Sequence, residues 1–249
     1  MGHIENIFLV RHARSLRNEG LGTEYADCDV PLANVGPTQS IRAGQILKSV
    51  LPIPERIESK VRFSINGKMV DVKPKGKVVL WSSTYRRALQ TREGIGRELQ
   101  NNHRTELKDS TLLREQSFGI FDGMSKQMRF ARYPFEARQY AMDVADGGKF
   151  FARPSGGESY HDVYRRMHRF MDIFERYAHP HWGRCDNHVI VSHGIAIRAF
   201  LMMALHKSPE WMVNEPDPNN ASIRHLTRDA SGRFKDMGYI FGGFPYDGR

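Results

Sequence analysis

The chain is poor in cysteine and has no long apolar run. Only Cys28 and Cys185 are cysteines, which is too few for a disulfide framework, so we expect a reducing compartment, the cytoplasm or the nucleus. No apolar stretch approaches the roughly 20 residues that a membrane-spanning helix needs. The first residues lead straight into a predicted strand without a signal-peptide pattern. We therefore expect neither a disulfide-stapled secreted domain nor a membrane partner.

Internal repeats, heptads and low-complexity segments are also missing. With 249 residues, 40% of them hydrophobic, the chain can bury a large core, and we expect one domain over residues 1–249. The net charge of +9 favours anionic partners. Residues 52–77 hold seven Lys or Arg against three acidic residues, a balance of 7 − 3 = +4.

Apolar runs alternate with segments of helical periodicity, which favours a mostly parallel sheet. Strands are predicted at 6–11, 77–82 and 188–192. Helices are predicted after Pro37, after Arg87, over 163–177 and after Gly194. The expected fold is α/β, a three-layer sandwich with helices on both faces of the central sheet.

Two segments do not follow this alternation. Residues 61–65 and 69–72 flank Asn66-Gly67, a strong hairpin signal, so 52–77 is interpreted as a basic β-hairpin insertion. It could be a solvated surface or could dock an anionic macromolecule. Residues 238–249 are rich in glycine and aromatic residues and are predicted to be a surface tail.

A histidine comes directly after the first and the third predicted strand. Arg11-His12 ends the first, Ser192-His193 ends the third, and Ser82-Ser83 ends the second. In open α/β sheets, ligands bind at the carboxyl ends of the strands. Arg86 and Arg87 open the helix after the second strand, and arginine forks match phosphate oxygens. The pattern predicts a phosphate site at this edge.

Six short motifs then stand in order along the chain. They are Arg11-His12-Ala13-Arg14-Ser15-Leu16-Arg17-Asn18; Pro31-Leu32 with Gly36 and Gln39; Ser83 to Thr91 with Arg87; Leu113-Arg114-Glu115 with Phe118 to Gly123; Gly156-Gly157-Glu158-Ser159; and Ser192-His193-Gly194 with Arg198. In this order they resemble the histidine phosphatase superfamily, which includes the cofactor-dependent phosphoglycerate mutases. Ala13 stands where the family usually has glycine, which would matter if the position needed a positive φ.

The resemblance implies a phosphoglycerate mutase-like fold and a role for each site residue. His12 would be the nucleophile that forms a phosphohistidine, and Glu115 the general acid and then base. The phosphoryl oxygens would be held by Arg11, Arg87 and His193, with Asn18 and Gly194 completing the substrate site. No cofactor or metal is expected. From the residues alone, Glu115 could instead pair with Arg114 or another arginine.

The stretches 114–119 and 150–159 are most similar to the phosphoglycerate-mutase-like proteins of plants and fungi, a group more consistent with phosphatases. A histidine-acid-phosphatase type of monoester hydrolase is therefore favoured, acting on a phosphorylated small molecule or phosphopeptide. Residues 116–157 would form a lid that selects the substrate. Two alternatives stay open: a phosphoglycerate mutase, and an interaction module that docks through 52–77. The sequence does not indicate an oligomeric state.

Overall fold

A computed structural model describes residues 5–51, 61–65, 68–72, 76–178 and 187–245. Within them the strands are β1 (Glu5–Arg11), β2 (Val61–Ile65), β3 (Lys68–Val72), β4 (Gly76–Ser83), β5 (His103–Ser110), β6 (Asn187–Ser192), β7 (Ile223–Arg228) and β8 (Phe234–Phe241). The α-helices are α1 (Gly36–Val50), α2 (Arg86–Leu99), α3 (Lys126–Arg132), α4 (Pro134–Gly147), α5 (Tyr160–Ala178), α6 (Gly194–Ala204) and α7 (Pro209–Asn214). No helix in these ranges is long and apolar enough to cross a membrane.

Six strands form the central sheet in the order β5-β4-β6-β1-β7-β8. The first four are parallel to one another, whereas β7 and β8 extend the sheet in antiparallel pairing. The predicted mostly parallel sheet is therefore confirmed. The sequence analysis did not predict β5, β7 or β8, because these strands are rich in charged residues and lie at or next to the sheet edges.

Helices cover both faces of the sheet, because the central strands are apolar on both sides. In β1, Phe8 and Val10 join a core with α1 and α2. Ile7 and Leu9, on the opposite face, join a core with α5 and α6. The three-layer sandwich is thus confirmed.

Local signals explain where the helices begin. Pro37 lies in the first turn of α1, where its missing N–H breaks no helical hydrogen bond. Ser159 caps α5, since its Oγ accepts a 3.1 Å bond from Asp162 N–H while Asp162 Oδ2 accepts from Ser159 N–H at 2.8 Å.

The predicted hairpin is present, because β2 and β3 form a separate two-stranded antiparallel sheet. Its Asn66-Gly67 turn and the basic side chains of 52–76 lie outside what the structure describes. The predicted tail begins later than expected. Residues 238–241 are the end of β8, which alternates between partly buried and exposed positions. They pair with β7, so the tail begins after Phe241.

Candidate active site

The two predicted histidines lie together at the carboxyl edge of the sheet. β1 and β6 are parallel and in register, with Arg11 opposite Ser192, and His12 N–H donates to Ser192 O at 2.9 Å. The residues that follow, His12 and His193, have ring centroids 5.0 Å apart. The pairing of β1 with β6 therefore brings together two histidines that are 181 positions apart in the sequence.

Hydrogen bonding sets the tautomer of His12. Its Nδ1 lies 2.8 Å from Ala13 O, so the proton belongs on Nδ1 and the lone pair on Nε2. Burial, and then the charges of Arg87 and Arg11, lower the pKa of His12 well below 6.5. The imidazole is therefore neutral near neutral pH.

The backbone after His12 is held by two neighbouring side chains. Ala13 N–H donates to Thr91 Oγ1 at 2.9 Å, and Asn220 Nδ2 donates to His12 O at 3.2 Å. Among the described non-glycine residues, only His206 and Ala221 have positive φ. Ala13 therefore occupies the usual glycine position without backbone strain.

His193 is fully buried beside His12. Its Nε2 lies 2.8 Å from Ser83 Oγ. That hydroxyl oxygen accepts a hydrogen bond from Tyr85 N–H at 3.2 Å, which leaves its own proton free to donate to Nε2. The Tyr85 ring meets His193 edge-on at 5.1 Å. His193 Nδ1 has no hydrogen-bond partner, and burial lowers the pKa of this histidine well below 6.5. One ring nitrogen of a neutral imidazole is thus left for a ligand.

A cavity of about 500 Å³ brings five of the predicted residues together: Arg11, His12, Asn18, Arg87 and Glu115. His193 and Gly194 do not line it. Gly194 starts α6, where an added Cβ would lie 2.8 Å from Asp217 Oδ1. The prediction that His193 and Gly194 contact substrate remains a prediction.

Arg11 is anchored by its backbone neighbours. Its Nη1 donates to Pro218 O, while its Nε is buried without a partner. Arg11 thus keeps one buried donor that no atom of the described residues accepts.

Arg87 is already paired with a carboxylate. Its Nη1 and Nη2 donate to the two carboxylate oxygens of Asp27 at 3.1 and 3.2 Å, and Nη1 also donates to Asp27 O at 2.6 Å. The sequence analysis did not anticipate Asp27, which lies in a polar loop and carries no motif signal. This carboxylate fixes the orientation of the Arg87 fork and adds negative charge to the cavity wall.

Asn18 is oriented by its own carbonyl oxygen. Oδ1 accepts from Ser15 N–H at 3.0 Å, from Ser15 Oγ at 2.9 Å and from Asn220 Nδ2 at 3.2 Å. The amide nitrogen of Asn18 is left to donate, so this uncharged side chain is able to give a hydrogen bond to a phosphate oxygen.

Glu115 forms no ion pair with Arg114 or any other residue that the structure describes, in contrast to the alternative prediction. Its Oε1 accepts from Gln116 N–H at 3.0 Å and from Ile195 N–H at 3.2 Å, so the carboxylate sits at the N-terminus of α6. Burial, the largest influence, raises the pKa of Glu115 above 4.5, against the opposing backbone hydrogen bonds. A raised pKa suits a residue that must donate a proton.

Three further polar side chains, Ser83, Arg198 and Asp122, lie near these residues. Ser83 orients His193. Arg198 donates to Met212 O at 3.1 Å and Glu215 O at 3.0 Å and pairs with Asp217, so its contacts are structural. Asp122 lines the cavity, and burial raises its pKa above 3.8.

Part of the predicted lid borders the cavity. Met124, Ser125, Met128 and Arg129 line it; Arg129 lies 5.3 Å above the Phe118 ring and 5.4 Å above that of Phe121. Within the described ranges, no group of three His, Cys, Asp or Glu residues could hold a metal ion.

Comparison with known proteins assigns the chain to a family. Residues 71–237 match the histidine phosphatase superfamily, branch 1. The chain belongs to this superfamily.

The chain is similar in sequence to a mutase-like protein and to an acid phosphatase. The chain is 28% identical to the phosphoglycerate mutase-like protein AT74 of Arabidopsis thaliana over 237 residues, 92% of this chain and 67% of the relative. It is 31% identical to the broad-range acid phosphatase DET1 of Saccharomyces cerevisiae over 127 residues, 50% of this chain and 35% of that protein.

Solved structures share the fold across nearly the whole chain. A putative alpha-ribazole-5'-P phosphatase from Escherichia coli superposes with a TM-score of 0.69 at 15% identity, covering 97% of this chain and 98% of that one. A mycobacterial glucosyl-3-phosphoglycerate phosphatase bound to inorganic phosphate gives 0.65 at 19% identity, covering 97% and 100%. At this identity the likeness establishes the fold.

Proposed function

We propose that the protein is a metal-independent phosphomonoesterase that acts through a phosphohistidine on His12. Membership of the histidine phosphatase superfamily supports phosphatase activity. The observation that carries the mechanism is His12 itself, a neutral imidazole at the cavity whose Nδ1 is bound to Ala13 O. Its Nε2 is therefore available to attack phosphorus.

In the first step, His12 Nε2 forms a bond to phosphorus and the bond to the ester oxygen breaks. Protonated Glu115 gives its proton to the leaving oxygen, which departs as an alcohol. The guanidinium groups of Arg11 and Arg87 stabilise charge on the phosphoryl oxygens, and charge stabilisation with in-line positioning is most of what this reaction needs.

In the second step, Glu115 takes a proton from water while the water oxygen attacks phosphorus. The bond between phosphorus and His12 breaks, phosphate leaves, and both residues return to their starting states. The unpartnered Nδ1 of His193 is the group we assign to a phosphoryl oxygen, with Ser83 donating to Nε2. Asn18 adds a neutral donor, and Gly194 leaves room for Asp217 beside Glu115.

Hydrolysis of p-nitrophenyl phosphate tests this proposal. Wild type should release phosphate in the presence of a chelator, and His12→Ala should lose turnover at least about a thousandfold. An exposed histidine replaced in the same way, His168→Ala, is the matched control. Equal rates for His12→Ala and wild type would overturn the nucleophile assignment.

The same preparation distinguishes the mutase alternative. Incubation with 3-phosphoglycerate and catalytic 2,3-bisphosphoglycerate should yield phosphate rather than 2-phosphoglycerate. Dominant formation of 2-phosphoglycerate would replace the phosphatase assignment by the mutase one.

The biological setting is a separate part of the proposal. We expect a phosphorylated small molecule or phosphopeptide as substrate and a cytoplasmic location. Docking of an anionic macromolecule through 52–77 stays a prediction.

A further inference from the structure

Arg17 is a cavity residue to which neither the sequence motifs nor the mechanism assigns a task. Its side chain lines the cavity, and its Nε and Nη1 are buried without a hydrogen-bond partner. Arginine carries a permanent charge and five N–H donors. A buried donor that no protein atom accepts is unfavourable unless water or a ligand accepts its hydrogen bond.

Two other charged residues of the cavity wall already have partners. Arg87 pairs with Asp27, and Glu115 is held by backbone N–H groups with a raised pKa. Among the described residues, Arg17 has neither a hydrogen bond nor an ion pair. Asp122, the acidic residue nearby, acts on it only through space.

The position of the Arg17 guanidinium is set by the backbone around it. Arg17 lies in the 3-10 helix Leu16–Glu19, next to Asn18. On the other side is Gly123, where an added Cβ would lie 2.8 Å from Arg17 Nη1. Gly123 also has φ +71°, so both space and conformation favour glycine there.

Arg129 supplies a second cation to the same cavity. Its Nε donates to Met124 O at 3.1 Å, and the Phe118 and Phe121 rings support its guanidinium. It has no ion pair with a described carboxylate. Two arginines thus share one cavity with His12.

We propose that Arg17, together with Arg129, forms a second anion subsite that selects phosphomonoesters carrying a further anionic group. The inference rests on the proposed function, since it takes His12 as the place where the first phosphoryl group reacts. The second group is a phosphate or a carboxylate, both of which match an arginine fork. A phosphomonoester whose leaving group carries no charge would leave the Arg17 donors unpaired.

Binding is measured by titration calorimetry with non-hydrolysable phosphonates. One arm compares α,ω-alkylene bisphosphonates of two to six carbons with the alkyl phosphonates of equal length. A second arm uses ω-phosphonocarboxylates, which separates a phosphate from a carboxylate preference. In wild type, the doubly anionic ligand of the best length should bind about tenfold tighter than its singly anionic match.

Variants test whether Arg17 causes the preference for doubly anionic ligands. Arg17→Gln should reduce that ratio to about twofold or less, and Arg17→Lys should retain part of it because the charge remains. Arg42→Gln removes the same charge from an exposed site on α1 and should keep the wild-type ratio. Equal ratios in wild type and Arg17→Gln, or no preference in wild type, would overturn the subsite.

Turnover separates this inference from the proposed function. With alkanediol bisphosphates and matched alkyl monophosphates, the ratio of kcat/KM should change in Arg17→Gln as the binding ratio does. Preference without hydrolysis of any ester would contradict the phosphatase assignment and keep the subsite. Hydrolysis without a preference for the doubly anionic ester would contradict the subsite and keep the phosphatase assignment.

Discussion

At the residue scale, burial shifts the pKa values of His12 and Glu115 in opposite directions. It lowers the pKa of His12 well below 6.5 and raises that of Glu115 above 4.5. The arginines reinforce the shift of His12, because a second positive charge is unfavourable beside them. A neutral His12, able to act as a nucleophile, and a protonated Glu115, able to act as an acid, can then coexist in one cavity under acidic conditions.

These shifts predict an acidic optimum for kcat/KM with alkyl phosphates. Activity should fall at low pH as His12 becomes protonated, at values well below 6.5, and fall at high pH as Glu115 ionises, at values above 4.5. Glu115→Gln should remove the high-pH decline and lower the rate roughly a hundredfold or more. The pH–rate profiles of both proteins check this.

p-Nitrophenyl phosphate is the control substrate, since its leaving group needs little protonation. The loss in Glu115→Gln should be smaller with it than with an alkyl phosphate. Equal losses with both substrates would contradict Glu115 as the general acid.

Asp27 gives a second prediction at this scale. Its carboxylate lies on the Arg87 fork, so its negative charge repels a phosphoryl group bound nearby. Asp27→Asn keeps an oxygen acceptor and removes that charge. Inorganic phosphate should then inhibit about fivefold more tightly, equivalent to about 1 kcal/mol.

Competitive inhibition constants for phosphate measure the effect, with Asp29→Asn, an exposed neighbour, as the control. An unchanged constant in Asp27→Asn would mean that the Asp27 charge does not act on the bound anion.

At the element scale, apolar periodicity predicted the elements that hold the site. Continuous apolar runs mark β1 and β6, and their parallel pairing brings His12 to His193. β5 and β7 were not predicted, because these partly buried strands carry charged residues and show no regular alternation of apolar and polar residues. The final strand was interpreted as a tail because Gly238 interrupts it.

The hairpin of β2 and β3 should be dispensable for catalysis. It forms its own two-stranded sheet and does not pair with the central one. Replacing residues 58–74 with a short Gly-Ser linker should keep kcat/KM for p-nitrophenyl phosphate within about twofold, since loop length costs little. If 52–77 docks an anionic partner, retention on heparin should decrease in parallel.

Loss of hydrolysis in a variant that still unfolds cooperatively would show that the hairpin supports the cavity. Unchanged heparin retention would remove the docking prediction and leave the activity assignment intact.

At the scale of the whole molecule, the fold collects distant residues at one edge of one sheet. The order of the motifs was enough to nominate Arg11, His12, Arg87 and Glu115, all of which line the cavity. The pairing of Asp27 with Arg87, the α6 N-terminus under Glu115 and the free donors of Arg17 depend on loop conformations. No short-range pattern encodes these, so the sequence could not reveal them.

The unequal roles of the two buried histidines are the central claim. Rapid mixing with phosphorus-32-labelled substrate, followed by an alkaline quench, measures phosphoenzyme directly. Wild type should show a transient label that is stable to base and labile to acid. His193→Ala should still label, at a slower rate, whereas His12→Ala should not label at all. Labelling of His12→Ala to the wild-type level would contradict the account.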